Sequence, residues 1–206
     1  MRRSGICGVA SLATLLAWPG VGLCQVGAVS GVVRVSDAPS RGAVVYLVPL
    51  YSEPLAPESE QVLLDQRNLH FVPHTLVVLP GQEVSFRNSD PLLHNVFSPD
   101  MLGEEFNLGT YPAGESRSYT FQRSGAHVIL CHIHPEMAAY VFVIETRYHA
   151  VVDGMGRFRI DSIPSGDYML HAWHPRAIAY EQLTRISAKN TLHLEIQLQR
   201  RRRGSH

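Results

Sequence analysis

The stretch CHIHPEM, residues 131–137, places three kinds of metal-binding side chain in one short segment between two apolar runs. Cys131 offers a thiolate, His134 an imidazole and Met137 a thioether. Together these soft and borderline donors suit copper better than zinc or magnesium. A structural zinc site usually draws on several thiolates or on repeated Cys and His pairs, and no second Cys lies near this segment. The segment therefore indicates a copper site.

A complete site of this kind needs one more imidazole. Two His and one Cys around copper, with a weak axial Met, form the blue-copper ligand pattern. His94, in the stretch NSDPLLHNVF at residues 88–97, is the best candidate for the second His. His132 is a candidate extra ligand, but neighbouring residues at a strand end point to opposite sides. It would therefore serve a different metal ion or remain a solvent-exposed or hydrogen-bonded side chain.

The chain begins with features of a secretory signal. Arg2 and Arg3 precede an apolar run at residues 6–23, which glycines and Pro19 interrupt. We expect a signal peptide at residues 1–24 and a periplasmic or secreted protein, with an uncleaved segment or a lipid anchor on Cys24 as the alternatives. Cys131 would then be the one thiol left after cleavage, unable to form an internal disulfide and either an inert core residue or a ligand.

The formal net charge of zero hides an asymmetry. Of the 18 Lys and Arg, two lie in the first 24 residues and four form Arg200–Arg203, so residues 25–199 carry 12 basic against 18 acidic side chains. The basic tail, residues 200–206, is expected to be solvated and disordered. Any contact of the protein with an anionic membrane surface would be made through this tail. Four charges are too few to make nucleic acid the leading partner.

Short segments rich in β-branched and aromatic residues predict an all-β protein. With 206 residues, 45% of them hydrophobic, the chain is long enough for one larger domain or two small ones. The expected strands are Val29–Val35, Val44–Pro49, Leu76–Leu79, Val84–Asn88, Ser118–Phe121, His127–Leu130, Ala139–Ile144, Phe158–Ile160, Tyr168–Trp173 and Leu192–Leu198. Ile178–Leu183 is the one segment expected to form a helical turn.

The rest of the sequence contains no motif that indicates a catalytic site. The sequence contains no nucleophile elbow, phosphate-cradling glycine loop or zinc-protease motif. The acidic pair Glu104 and Glu105 is expected on a solvated face. His171 and His174 flank Trp173 in a pattern that suits an ordinary strand, with a docking surface or weak metal site as the alternative.

Residues 62–146 resemble the cupredoxins, Greek-key β-sandwiches that carry one blue copper atom, and plastocyanin and amicyanin are the most similar members. The matching stretches are FVP at 71–73, PGQEVSFRN at 80–88, HNV at 94–96 and the loop at 131–137. The resemblance implies that His94, Cys131, His134 and Met137 hold copper and that Asn95 ties the two ligand-bearing segments together. It also implies an electron port at His134, ringed by apolar residues such as Leu92, Leu93 and Met137.

The two flanks resemble successive halves of the carboxypeptidase-regulatory-like, transthyretin-like β-sandwich. The stretches that carry this likeness are GVVRV at 31–35, GAVVYL at 42–47, DGMGRFRI at 153–160 and IPSGDYML at 163–170. The cupredoxin segment would then be inserted between residues 29–50 and 147–199, with a linker at 51–61. The alternative is that residues 29–50 contribute strands to the copper domain.

The sequence thus predicts an exported type 1 copper protein that carries single electrons and is not an enzyme. A redox protein, a cytochrome or a dehydrogenase, would be its partner. One alternative is a copper-binding or copper-delivery protein without an electron-carrier role. The other is a copper enzyme in which His132 helps to form a second site.

Overall fold

The structure, a computed structural model, describes residues 25–52, 54–55, 60–99 and 102–201. These ranges contain β-strands, turns and loops but no α-helix, and so no helix that could cross a membrane. The predicted signal peptide, part of the predicted linker and the last five residues of the basic tail lie outside them.

The strands fall into three groups along the chain. The first group is β1 (Val26–Val35), β2 (Ala38–Pro39) and β3 (Val44–Pro49). The second group is β4 (Val62–Arg67), β5 (His70–Val72), β6 (Thr75–Val78), β7 (Glu83–Asn88), β8 (His94–Ser98), β9 (Phe106–Tyr111), β10 (Ser116–Thr120), β11 (Gly125–Leu130) and β12 (Ala138–Val143). The third group is β13 (His149–Val151), β14 (Arg157–Pro164), β15 (Gly166–Trp173), β16 (Tyr180–Ile186) and β17 (Thr191–Leu198).

Strands β4 to β12 form the inner sandwich. Its two sheets have the orders β10-β7-β4-β5 and β6-β12-β11-β8-β9. In β7 the buried residues Val84 and Phe86 alternate with more exposed neighbours, as expected for a strand with one face on a core. They meet Ile129 and Val141 of the facing sheet in a single apolar cluster. Cys131 belongs to the same cluster.

The remaining strands form the outer sandwich. One sheet has the order β14-β1-β17 with β2 beside β1, and the other has the order β13-β3-β15-β16. Strand β1 runs antiparallel to β14 and parallel to β17, so the first and last strands of the described residues share one sheet. Val29, Val45, Leu170 and Ile196 are buried in the core between the sheets. The prediction of an all-β chain with two sandwiches is confirmed.

An aromatic seam joins the two sandwiches. Trp173 stacks on Phe142 of the inner sandwich with ring centroids 4.8 Å apart, and it meets the edge of Tyr140 at 5.4 Å. Tyr46 contacts Phe142 edge to face at 5.7 Å, and Val44 completes the cluster. Because these rings are buried or half-buried against one another, the seam holds the two sandwiches together.

Several strands were not predicted. They are β2, β4, β5, β8, β9, β13 and β16. Strand β8 is an example. Four of its five residues are buried, including the polar residues His94 and Asn95, so its sequence lacks the alternation of apolar and polar residues that predicts a strand. The predicted helical turn at Ile178–Leu183 is wrong. Strand β16 instead pairs with β15 over seven residues. This pairing gives hydrogen-bond partners to backbone N–H and C=O groups that a single turn would leave to bond with water.

Two polar segments are more ordered than predicted. The Glu104 carboxylate accepts hydrogen bonds from the backbone N–H groups of Gln122 and Arg123, so it stabilises a loop and is not a solvated charge. In the basic tail, Arg200 forms a β-bridge with Ala177.

Candidate metal centre

The ends of three strands place the predicted donors at one end of the inner sandwich. His94 is the first residue of β8, and Cys131 directly follows the last residue of β11. His134 and Met137 lie in the connection between β11 and β12. Strand β11 pairs with both β8 and β12, and this pairing brings the two donor-bearing segments together.

His94, Cys131 and His134 form a compact group. Their potential ligand atoms all lie within 4.8 Å of one another, and it is the one such group of His, Cys, Asp or Glu found in the described ranges. The Cys131 sulfur is 4.0 Å from His94 Nδ1, which is 3.1 Å from His134 Nδ1. His94 is fully buried, Cys131 is 3% exposed and His134 is half-buried. Two imidazole nitrogens and a thiol converging in a nearly dry site fit a soft or borderline metal ion.

Met137 lies behind these donors in the core. It is 1% exposed and belongs to the same apolar cluster as Cys131. Its backbone N–H donates to the His134 carbonyl at 2.9 Å, which closes the loop into a turn. Because its side chain is buried, Met137 is not part of the expected exposed rim, while its role as an axial ligand stays a prediction.

Asn95 connects the two segments that carry the donors. Its backbone N–H points at the Cys131 sulfur at 3.4 Å, and its side-chain oxygen accepts from the His132 N–H at 3.4 Å. The side-chain nitrogen donates to Asn107 Oδ1 at 2.9 Å, which fixes the amide. These contacts hold the two donor-bearing segments together, so Asn95 helps to position the Cys131 side chain.

Asp90 is a site residue that the sequence reasoning missed. Its Oδ2 lies 2.9 Å from His94 Nε2 and accepts from the Leu69 N–H, also at 2.9 Å. Burial by itself raises the pKa of the Asp90 carboxyl, but hydrogen bonds from Leu69, His94 and Asn68 outweigh it and hold that pKa below its usual value. An ionised Asp90 accepts a hydrogen bond from the Nε2–H of His94, which leaves Nδ1 free to bind a metal.

The turn that holds Asp90 is built by a second buried polar side chain. Asn88 Oδ1 accepts from the Asp90 N–H at 3.0 Å, and Asn88 Nδ2 donates to the carbonyls of Leu92 and Tyr111. These bonds shape the chain between β7 and His94. A sequence signal for Asp90 was present, since an acidic residue lies four positions before His94 in NSDPLLH, but its bonds to residues 68–69 were not visible there.

His132 stands apart from the group of three donors. Its ring is exposed and lies parallel to Phe97, with centroids 3.7 Å apart and an interplanar angle of 6°. It therefore points away from the neighbouring Cys131, as expected for consecutive residues at a strand end. Leu92, Leu93 and Ile133, which adjoin the donor residues in sequence, are large apolar side chains with 43–53% exposure.

Comparison with known proteins gives partial likenesses. No family model and no curated protein matches the chain. Among solved structures, a copper-containing nitrite reductase from Thermus scotoductus SA-01 is 28% identical over 48% of this chain and 26% of that chain, with a TM-score of 0.41. A proline-to-alanine mutant of amicyanin in its oxidised state is 26% identical over 41% and 82%, with a TM-score of 0.39.

A purple cupredoxin from Nitrosopumilus maritimus is 23% identical over 42% of this chain and all of that one, with a TM-score of 0.36. The chain thus spans about a quarter of the nitrite reductase, and each likeness reaches less than half of this chain. TM-scores below 0.5 do not establish a common overall fold. What can be said of the site rests on the residues of the chain itself.

Proposed function

We propose that this protein is an exported blue-copper electron carrier. The observation that carries the proposal is the convergence of His94, Cys131 and His134 at a nearly dry end of the inner sandwich. A bound copper ion would supply the one-electron redox change. His94, Cys131 and His134 would hold it, with Met137 as the weak axial donor that tunes the potential.

The protein residues around the donors make the site rigid. Asp90 orients His94, Asn95 ties its segment to Cys131, and the turn between His134 and Met137 holds the loop. A donor set held in place before the metal arrives changes little between oxidation states, which favours fast electron transfer. His134 is half-buried, and the residues that precede His134 and His94 in sequence, Ile133 and Leu93, are exposed apolar side chains. They support a weak, transient docking surface for a redox partner such as a cytochrome or a dehydrogenase.

Copper loading of the purified chain tests the proposal. We expect one copper per chain and an intense visible sulfur-to-copper band that bleaches reversibly on reduction and is lost in Cys131→Ser. His132→Ala, which alters an exposed ring outside the donor group, is the matched control and should keep the band. Colourless protein that holds Cu(I) alone would overturn the carrier role in favour of copper delivery. Two copper ions per chain, with the second lost in His132→Ala, would favour an enzyme.

A further inference from the structure

A second polar site lies in the outer sandwich. A cleft of about 190 Å³ opens between the turn joining β1 to β2 and the segments that carry His174, Arg176 and Arg200. That volume would hold on the order of ten water molecules. Its lining residues include Arg176, Arg200 and His174 but no described Asp or Glu. The residues that line this cleft therefore favour a negatively charged ligand.

The two arginines are held close to each other by their backbones. Ala177 forms a β-bridge with Arg200, and the Arg201 N–H donates to the Arg176 carbonyl at 2.9 Å. Neither Arg176 nor Arg200 forms an ion pair with a carboxylate in the described part of the chain. Two unpaired like charges at one cleft repel each other, and a bound anion would remove that repulsion.

His174 adds an oriented donor. It is 4% exposed, and its Nδ1 accepts from the Arg176 N–H at 3.2 Å. In the neutral ring the proton then sits on Nε2, for which the described residues provide no partner. Burial first, and then the positive charges of Arg176 and His74, lower the pKa of His174, so the ring favours its neutral form.

We propose that this cleft binds a small oxyanion through Arg176, Arg200 and the Nε2–H of His174. Guanidinium groups match phosphate and carboxylate oxygens in geometry, and hydrogen bonds between ionised partners are the stronger ones. The Ser40 hydroxyl at the cleft wall already donates to the Val33 carbonyl, so it can contribute an acceptor but no second donor. The donor set thus favours a small oxyanion with several acceptor oxygens, such as phosphate or a dicarboxylate.

Titration of the full-length chain with inorganic phosphate, followed by the NMR signal of the His174 ring, tests this site. We expect a saturable shift, with affinity about tenfold weaker in Arg176→Gln and in Arg200→Gln. The matched control is Arg87→Gln, which removes an exposed arginine on β7 and should leave the affinity unchanged. Unfolding midpoints of the variants establish that they remain folded.

Malonate and chloride distinguish the anion. Saturation by phosphate, by malonate or by both supports the site and identifies whether tetrahedral or planar oxyanions fit it. If chloride at matched ionic strength produces the same shifts, or if the double variant Arg176→Gln/Arg200→Gln binds phosphate as tightly as the natural chain, the proposal is wrong.

Discussion

Among single residues, Asp90 has the most direct control over a donor. It is a buried carboxylate without a Lys or Arg partner among the described ion pairs, and its charge is balanced by hydrogen bonds from His94 and from the N–H groups of Asn68 and Leu69. Removing the charge leaves these donors partly unsatisfied and frees the His94 ring to rotate.

We therefore expect Asp90→Asn to weaken copper affinity about 10- to 100-fold and to lower the free energy of unfolding by about 1–3 kcal/mol. Competitive copper titration and denaturant unfolding measure the two effects. Asp161→Asn is the matched control, because Asp161 forms an exposed pair with Arg159, and it should change neither quantity much. An unchanged copper affinity in Asp90→Asn would show that His94 is oriented by other contacts.

At the scale of elements, β1 is the strand on which the outer sandwich depends. It pairs with β14, β17 and β2, and so joins the first group of strands to the third. At Gly31 a Cβ atom would lie 2.0 Å from the Leu194 carbonyl oxygen on β17. The parallel pairing of these strands therefore requires glycine at this position.

We expect Gly31→Ala to destabilise the protein by about 1–3 kcal/mol, because the added methyl group forces β1 and β17 apart. Thermal or denaturant unfolding measures the change. Gly154→Ala is the matched control, since a Cβ at Gly154 has no neighbour within 4 Å. Equal effects of the two substitutions would mean that the β1–β17 contact does not limit stability.

At the scale of the whole molecule, the aromatic seam decides whether the two sandwiches unfold as one unit. Truncating Trp173 removes its ring contacts with Phe142 and Tyr140. We expect Trp173→Ala to cost about 2–4 kcal/mol and to split unfolding into two transitions, whereas Trp173→Phe keeps most of the cooperativity. Calorimetry combined with the copper absorption band follows the two sandwiches separately. A single transition in Trp173→Ala would show that other contacts couple them.

His174, which follows Trp173 of the aromatic seam, makes the stability of the protein depend on pH. Burial, Arg176 and His74 lower the pKa of His174 from the ordinary 6.5. As the pH falls below about 6.5, His174 takes up a proton in the unfolded chain before it does so in the folded protein. The folded protein therefore loses stability as the pH falls from about 6.5 to the lower folded-state pKa of His174, and this loss stops below that pKa.

Denaturant unfolding across this range in phosphate-free buffer checks the expectation. The natural chain should lose stability more steeply with falling pH than His174→Gln. Parallel curves for the two proteins would show that His174 has the same pKa in the folded and unfolded states.

Much of the candidate site could be read from residue order. Three of its predicted donors lie within the seven residues 131–137. The strands on either side, predicted at His127–Leu130 and Ala139–Ile144, lie within two residues of their observed limits. Strand β8 was missed because its polar residues are buried, which is the reverse of the usual pattern. Asp90 was missed because its partners at residues 68 and 69 are distant in the chain.

Local composition therefore sufficed for the donor types, the loop that carries them and the all-β class, because these follow from neighbouring residues and from the period of two along a strand. The closure of β1 on β14 and β17, the seam through Trp173 and the cleft beside Arg176 and Arg200 required the folded molecule. Each of them depends on packing or hydrogen bonding between segments far apart in the chain. Such contacts produce no periodic pattern of apolar residues in the sequence of either segment alone.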